Sequence, residues 1–292
     1  MNRLDDAGTY PIREFARLTG VNPVTLRAWE RRYGIIRPER TAKGHRFYTE
    51  DHILLVKNIL YWLDQGYPIR QVKLLLQEGV QADSPAGDDW QEQQQQIIQA
   101  AYQLNSQRLD ELWNIGFATY PLAVYYDHCL RPVIQTLRLD ASPAIGKAVH
   151  YLLKRRLSSL MIQQQRHNPG PGILIACNER QIELDALACA CALGAAEFHV
   201  EYFGCDLIPD ELKALCQQLQ AERVWLHLHP LATAQADGWQ QLNECATPVC
   251  ISGVIPQQSE EHETSQLTYM QGSLSQQVRQ FITGNALTEN NP

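Results

Sequence analysis

Arg27, Arg31 and Arg32 stand within six residues of one another in "VNPVTLRAWERRYG", residues 21–34, with Trp29 and Tyr33 beside them. A guanidinium presents a planar fork of donors that matches a guanine edge or a phosphate. Such a concentration is unexpected in a chain of 292 residues with a formal net charge of −7. The charge is uneven, however. Residues 1–80 hold 13 Lys+Arg against 9 Asp+Glu, a balance of +4, and the rest of the chain holds 12 against 23, a balance of −11. A basic head on an acidic body points to a polyanionic partner for the head.

The elements that position those arginines follow from spacing. Residues 10–20 read as a short helix after Tyr10-Pro11, with Ile12, Phe15, Ala16 and Leu18 as its apolar stripe. Gly20 lies in a tight turn. Asn22 is a favourable N-cap and Pro23 fits the first helical position, so a second helix runs over 23–33 and Gly34 closes it. Helix, short glycine-containing turn and helix make a helix-turn-helix. In the second helix Val24, Leu26 and Trp29 or Tyr33 are expected to face the first, leaving Thr25, Arg27, Ala28 and Arg31 outward. Arg27 and Thr25 are then candidates for DNA contact, and Arg31 and Arg32 for phosphate or for structure. Behind this pair, Arg46-Phe47-Tyr48 can form a strand of a small β-wing with Gly44 at its tip. The wing would bring Lys43, His45 and Arg46 to the flanking backbone or minor groove. Thr49 caps a third helix over 50–65, and "PIRQVKLLLQ" forms a fourth to residue 77.

The head is thus residues 1–77. Residues 78–89, "EGVQADSPAGDD", lose apolar periodicity and read as a linker. Residues 90–167 carry helical spacing over 90–104, 107–116, 119–138 and 143–166, with Pro132 placed to kink the third stretch, and suggest a four-helix bundle. The glutamines at 93–96 form a solvated face of the first of these helices. Residues 168–284 change period. "GILIAC", "FHVEYFG", "RVWLHLH" and "PVCISG" are short apolar runs suited to buried parallel strands, and "QLTYMQG" adds an edge strand. Helical stretches at 182–195, 209–220, 235–245 and 273–283 alternate with them. That order implies an α/β flavodoxin-like (Rossmann-type) parallel sheet. The tail, 285–292, is expected to be disordered. The fold class is multidomain: winged helix-turn-helix, helical bundle, α/β domain.

"TGVNPVTLRAWERRYGIIRPERTAKGHRFYTEDHILLVKNI" resembles the winged helix-turn-helix of the MerR family of transcription regulators, in the MlrA/CarH-like branch. The resemblance covers about a quarter of the chain, residues 9–77. It places Thr25, Arg27 and Trp29 at DNA-contacting positions of the recognition helix, and Arg46 and Tyr48 at wing positions that grip the backbone. It implies a sequence-specific DNA-binding transcription regulator, not an enzyme, acting at promoter DNA as a dimer or higher oligomer with RNA polymerase nearby. The long dimerising coiled coil of most MerR proteins has no counterpart, because the linker interrupts it. The branch carries a helical bundle and a cobalamin-binding-type sheet domain there instead, which suggests a light-sensing repressor of the CarH type as the alternative.

The cobalamin motif itself is altered. The branch needs a histidine ligand followed by a glycine after the first strand, and aligning "IELDAL" puts Ile182 and Asp185 at those places. His227-Leu228-His229 replaces the later serine motif, and Ser252-Gly253 replaces a Gly-Gly pair. No bound cofactor is therefore expected, and the sheet domain would sense a signal or dock a regulatory protein instead.

The remaining candidates yield little chemistry. His227 and His229 share a strand face but lack an evident third metal ligand. Cys189 and Cys191 sit two apart on a helix and do not share a face. Eight dispersed cysteines without a CxxC pair read as small buried hydrophobes of a reducing compartment. Glu179, Glu183 and Asp185 suit a helix start. No catalytic triad or carboxylate pair emerges. No apolar run reaches a membrane span and the N-terminus lacks a signal-like core, so the cytoplasm is expected.

Overall fold

The structure is a computed structural model. It describes residues 8–78, 88–139, 142–165, 168, 170–229, 239–253 and 266–288. The chain divides into two compact units, Met1–Leu152 with Asn285–Pro292, and Leu153–Gly284. The division falls inside one long helix, α9 (Pro143–Gln165).

The first unit opens with a three-stranded sheet and two short helices. The strands are β1 (Thr9–Pro11), β2 (Glu39–Arg40) and β3 (Arg46–Thr49), with β3 central and both neighbours antiparallel to it. β1 was not foreseen. Its three residues end in a proline, which an edge strand tolerates because no ladder donor is needed there. α1 (Ile12–Thr19) ends on Gly20 at φ 69°, where a left-handed backbone favours glycine. α2 (Pro23–Ala28) begins as expected: Asn22 Oδ1 accepts from the backbone N–H of Val24 and Thr25, each at 2.9 Å. The helix then widens into a π-type turn over Trp29–Tyr33 before Gly34 stops it. α3 (Glu50–Asp64) and α4 (Ile69–Glu78) complete the head. His52 ties α3 to the wing, since its Nδ1 accepts from Thr49 N and its Nε2 donates to Arg37 O.

The bundle helices follow: α5 (Asp88–Tyr102), α6 (Ser106–Thr119), then α7 (Leu122–Tyr125), a π-type turn (Tyr126–Leu130) and α8 (Arg131–Leu139) in succession. Of the expected linker, residues 79–87 lie outside the described residues. Pro132 has no N–H for the carbonyl four residues back, His128. Gln94 of α5 supplies the missing donor, its amide reaching His128 O at 2.7 Å. Gly116 lets α6 lie against the Tyr125 ring, which a Cβ at that position would meet.

The second unit is a five-stranded, wholly parallel sheet in the order β5-β4-β6-β7-β8. Its strands are β4 (Gly172–Cys177), β5 (His199–Tyr202), β6 (Arg223–His227), β7 (Val249–Ser252) and β8 (Leu267–Tyr269). The strand order is that of a flavodoxin-like doubly wound sheet. Helices α10 (Glu183–Ala195), α11 (Pro209–Leu219) and α12 (Leu274–Thr288) alternate with the strands. α10 is buried almost all round, which is why its sequence is small and apolar throughout. Of the helix expected at 235–245, the described part is Trp239 and a tight turn over Gln240–Glu244. The expected disordered tail begins four residues too early, because α12 continues through Thr288, and residues 289–292 lie outside the described residues.

Candidate nucleic-acid interface

The outward face of the second head helix is narrower than its sequence suggests. Val24, Arg27 and Arg31 recur at i, i+3 and i+7 and share one side. Val24 and Arg31 are exposed and Arg27 is half-exposed, with exposed Arg32 beside them. None of these three arginines makes an ion pair among the described residues. Lys43 and His45 are exposed in the wing, whose turn is closed by bonds from Gly44 N to Thr41 O and from Thr41 N to His45 O.

Several expected contacts are inside the protein instead. Trp29 is fully buried, and its Nε1 donates to the carbonyl of Thr119 in α6 at 2.9 Å. Thr25 is also fully buried and Ala28 nearly so, because α6 packs along this flank of α2. Val24, expected in the core, is 56% exposed. The expectation treated the helix as packing only on α1, whereas the bundle covers a second side. Tyr48 is buried as well, its ring stacked on Phe15 with centroids 4.1 Å apart. Burial pushes its hydroxyl pKa up to about 12. Thr25, Trp29 and Tyr48 are packing residues in this arrangement.

Arg46 is half-buried and committed. Glu30, from the widened turn after α2, accepts from Arg46 Nε at 2.6 Å and from Arg40 at 2.8 Å. Burial works to raise the Glu30 pKa, but the two guanidinium groups outweigh it and hold the carboxyl below its ordinary value. The same pairing raises Arg46. Glu30 therefore locks the wing to the helix, and sequence reading missed it because a lone acid among arginines looks like ordinary surface charge.

At the carboxyl ends of the parallel strands, where doubly wound sheets place ligands, a different set of residues meets. The registers Cys177↔His227 and His227↔Ser252 put these three side by side across β4, β6 and β7. Ser252 Oγ accepts from Trp225 Nε1 at 2.8 Å and lies 2.6 Å from His227 Nδ1. The indole can only donate, so Ser252 Oγ is the acceptor of that bond, and the hydroxyl keeps a hydrogen and a lone pair for His227 Nδ1. His229 lies 3.6 Å from Glu179. Buried Glu183 pairs with Lys154 at 2.7 Å. Burial raises the Cys177 thiol to about 12, so it is no thiolate nucleophile at neutral pH. Among the described residues no group of three His, Cys, Asp or Glu is placed to hold a metal ion.

These residues do not fit cobalamin. Ile182 is buried and has no lone pair for cobalt. Asp185 adds a carboxylate where a tail needs a glycine. Ser252 Oγ is bonded to both Trp225 Nε1 and His227 Nδ1. Gly253, at φ 100°, is explained by packing: a Cβ there would collide with the carbonyl of Leu228.

The first unit thus carries a winged helix-turn-helix, a DNA-binding class of module. Residues 10–79 match the MerR HTH family regulatory protein model. The chain is 40% identical to the HTH-type transcriptional regulator MlrA of Salmonella typhimurium over 104 residues, 36% of this chain and 41% of that protein. It is 28% identical to the HTH-type transcriptional repressor CarH of Myxococcus xanthus over 207 residues, 63% of this chain and 67% of that protein. The match to MlrA spans only about two fifths of that relative's length. Among solved structures, a Methanosarcina barkeri monomethylamine corrinoid protein aligns with 66% of this chain and 99% of its own, at 15% identity and a TM-score of 0.48. No helix among the described residues is long and apolar enough to cross a membrane.

Proposed function

We propose that this protein is a sequence-specific DNA-binding transcription regulator that acts at promoters. The observation that carries the reading is the outward face bearing Arg27 of α2 and Arg31 of the turn that follows it, with Arg32 beside them, none in an ion pair among the described residues, backed by an exposed cationic wing. A helix of this kind fits the major groove, where arginine reads guanine, while Lys43 and His45 meet phosphate. One head spans a short half-site, so two copies on a palindromic operator form the binding unit. The relatives MlrA, named as a transcriptional regulator, and CarH, named as a transcriptional repressor, agree with this reading. The α/β unit serves as a sensor or docking platform for a partner protein without cobalamin, and RNA polymerase lies close at the promoter.

Footprinting of the full-length protein on the DNA upstream of its own gene tests the reading. A protected site that disappears with Arg27→Ala is expected. Absence of any protected site, in random-library selection as well, would overturn it.

A further inference from the structure

The leading turn of the recognition helix presents an apolar group where base edges are read. Asn22 spends its side-chain oxygen on the Val24 and Thr25 N–H groups. Pro23 has no donor. Thr25 and Leu26 are fully buried. The side chain left pointing outward on this first turn is Val24, 56% exposed, on the same face as Arg27. A single exposed apolar residue is ordinary on a protein surface. Its place is what matters here, since recognition helices read base edges with their N-terminal residues.

Resting on the DNA-binding reading above, we propose that Val24 is a specificity-determining residue that selects thymine in the operator half-site by packing on its C5-methyl group. The isopropyl group cannot form a hydrogen bond, and among the four unmodified bases only thymine offers an apolar group in the major groove. A β-branched side chain in a helix holds one rotamer, so the methyls are fixed before DNA arrives. Arg27 follows three residues later, about 4.5 Å along the helix axis. Successive base pairs are about 3.4 Å apart. The thymine read by Val24 therefore lies within one or two base pairs of the guanine read by Arg27.

The test removes only the methyl. Sites are selected from a random duplex library with the full-length protein, and each thymine of the enriched site is replaced in turn by deoxyuridine. One thymine per half-site, within two base pairs of the guanine whose selection Arg27→Ala abolishes, should lose about fourfold in affinity, the worth of one buried methyl-sized group. In Val24→Ala the thymine and deoxyuridine duplexes should bind equally at that position, with the guanine preference retained. Alanine is a better helix former than valine and the site is exposed, so the variant keeps the fold. An enriched site at which the wild-type protein is indifferent to every methyl overturns the role of Val24 and leaves the DNA-binding reading standing. Methyl dependence that persists in Val24→Ala does the same. A library that yields no enriched sequence overturns both.

Discussion

The indole N–H of Trp29 donates to the main-chain carbonyl of Thr119, 90 residues away, at 2.9 Å, and both groups are buried. This bond fastens the recognition helix of the head to α6 of the bundle within one compact unit. It also separates a packed side of this segment from the outward side that carries Val24, Arg27 and Arg31.

That division separates the effects of two substitutions. Trp29→Phe keeps most of the buried ring but leaves the Thr119 carbonyl without its donor, which costs about 1–3 kcal/mol. Urea unfolding should show the loss. Arg27→Ala removes a half-exposed side chain and should leave the urea midpoint near the wild-type value, while lowering affinity for the specific site by about 1–3 kcal/mol and relaxing selection at one base pair. Arg31→Ala or Arg32→Ala, where the contact is to phosphate, should weaken binding to all sequences and reduce the salt slope by about one. Equal unfolding midpoints for Trp29→Phe and wild type would contradict the packing role of the indole.

Glu30 makes the order of the wing dependent on pH. Its folded pKa lies below its ordinary value of 4.5, because Arg46 and Arg40 outweigh the opposing effect of burial. A depressed folded pKa means stabilisation that is complete above the ordinary value and is lost as pH falls through the folded one. Glu30→Gln should therefore be less stable than wild type by about 1 kcal/mol near neutrality, a typical worth for a charge-assisted pair that is partly exposed. The difference in melting temperature should shrink as the pH drops below about 4.5. A gap that stays constant down to acid pH would rule out the carboxylate as its source.

Much of this could be read from the chain because the informative signals are local. Asn22-Pro23 and Gly34 set the ends of the recognition segment, and a hydrophobic run such as "GILIAC" marks a buried strand whatever surrounds it. What could not be read depends on contacts far apart in sequence. Thr25, Ala28 and Trp29 turn inward because α6, some 90 residues on, lies against them, and no periodicity within 21–34 carries that information. Tyr48 is two residues from Arg46 on one strand, so both share a side. The longer arginine reaches Glu30, while the tyrosine ring stops on Phe15. The degenerate cobalamin motif was legible at Ile182 as missing chemistry. The closed bonding of Trp225, His227 and Ser252 was not, because it joins two strands.

Gln94 and Pro132 should be coupled. Gln94→Ala leaves the His128 carbonyl without the amide that substitutes for the missing proline N–H, at a cost of about 1–3 kcal/mol. In a Pro132→Ala background the restored backbone N–H can take over, and the same substitution should cost less. A double-mutant cycle by chemical denaturation measures the difference. Additive effects would mean that the Gln94 amide does not stand in for the backbone bond.

The sheet domain should fail to retain cobalamin. A cobalt ligand needs a lone pair, which Ile182 lacks, and Ser252 Oγ is already bonded to Trp225 Nε1 and His227 Nδ1. Protein mixed with adenosylcobalamin and desalted should elute colourless, and Ile182→His alone should not restore colour, because Asp185 and the Ser252–His227–Trp225 cluster remain. Ser252→Ala should lower the stability of this unit by about 1–3 kcal/mol, since the buried Trp225 Nε1 loses its acceptor. Gly253→Ala should cost at least as much, because its positive φ is unfavourable for alanine and the new Cβ would strike the Leu228 carbonyl. Retained colour in the wild-type protein would show that the strand ends open to a ligand despite this bonding. An unchanged melting temperature in both variants would show that the bonding does not hold the unit together.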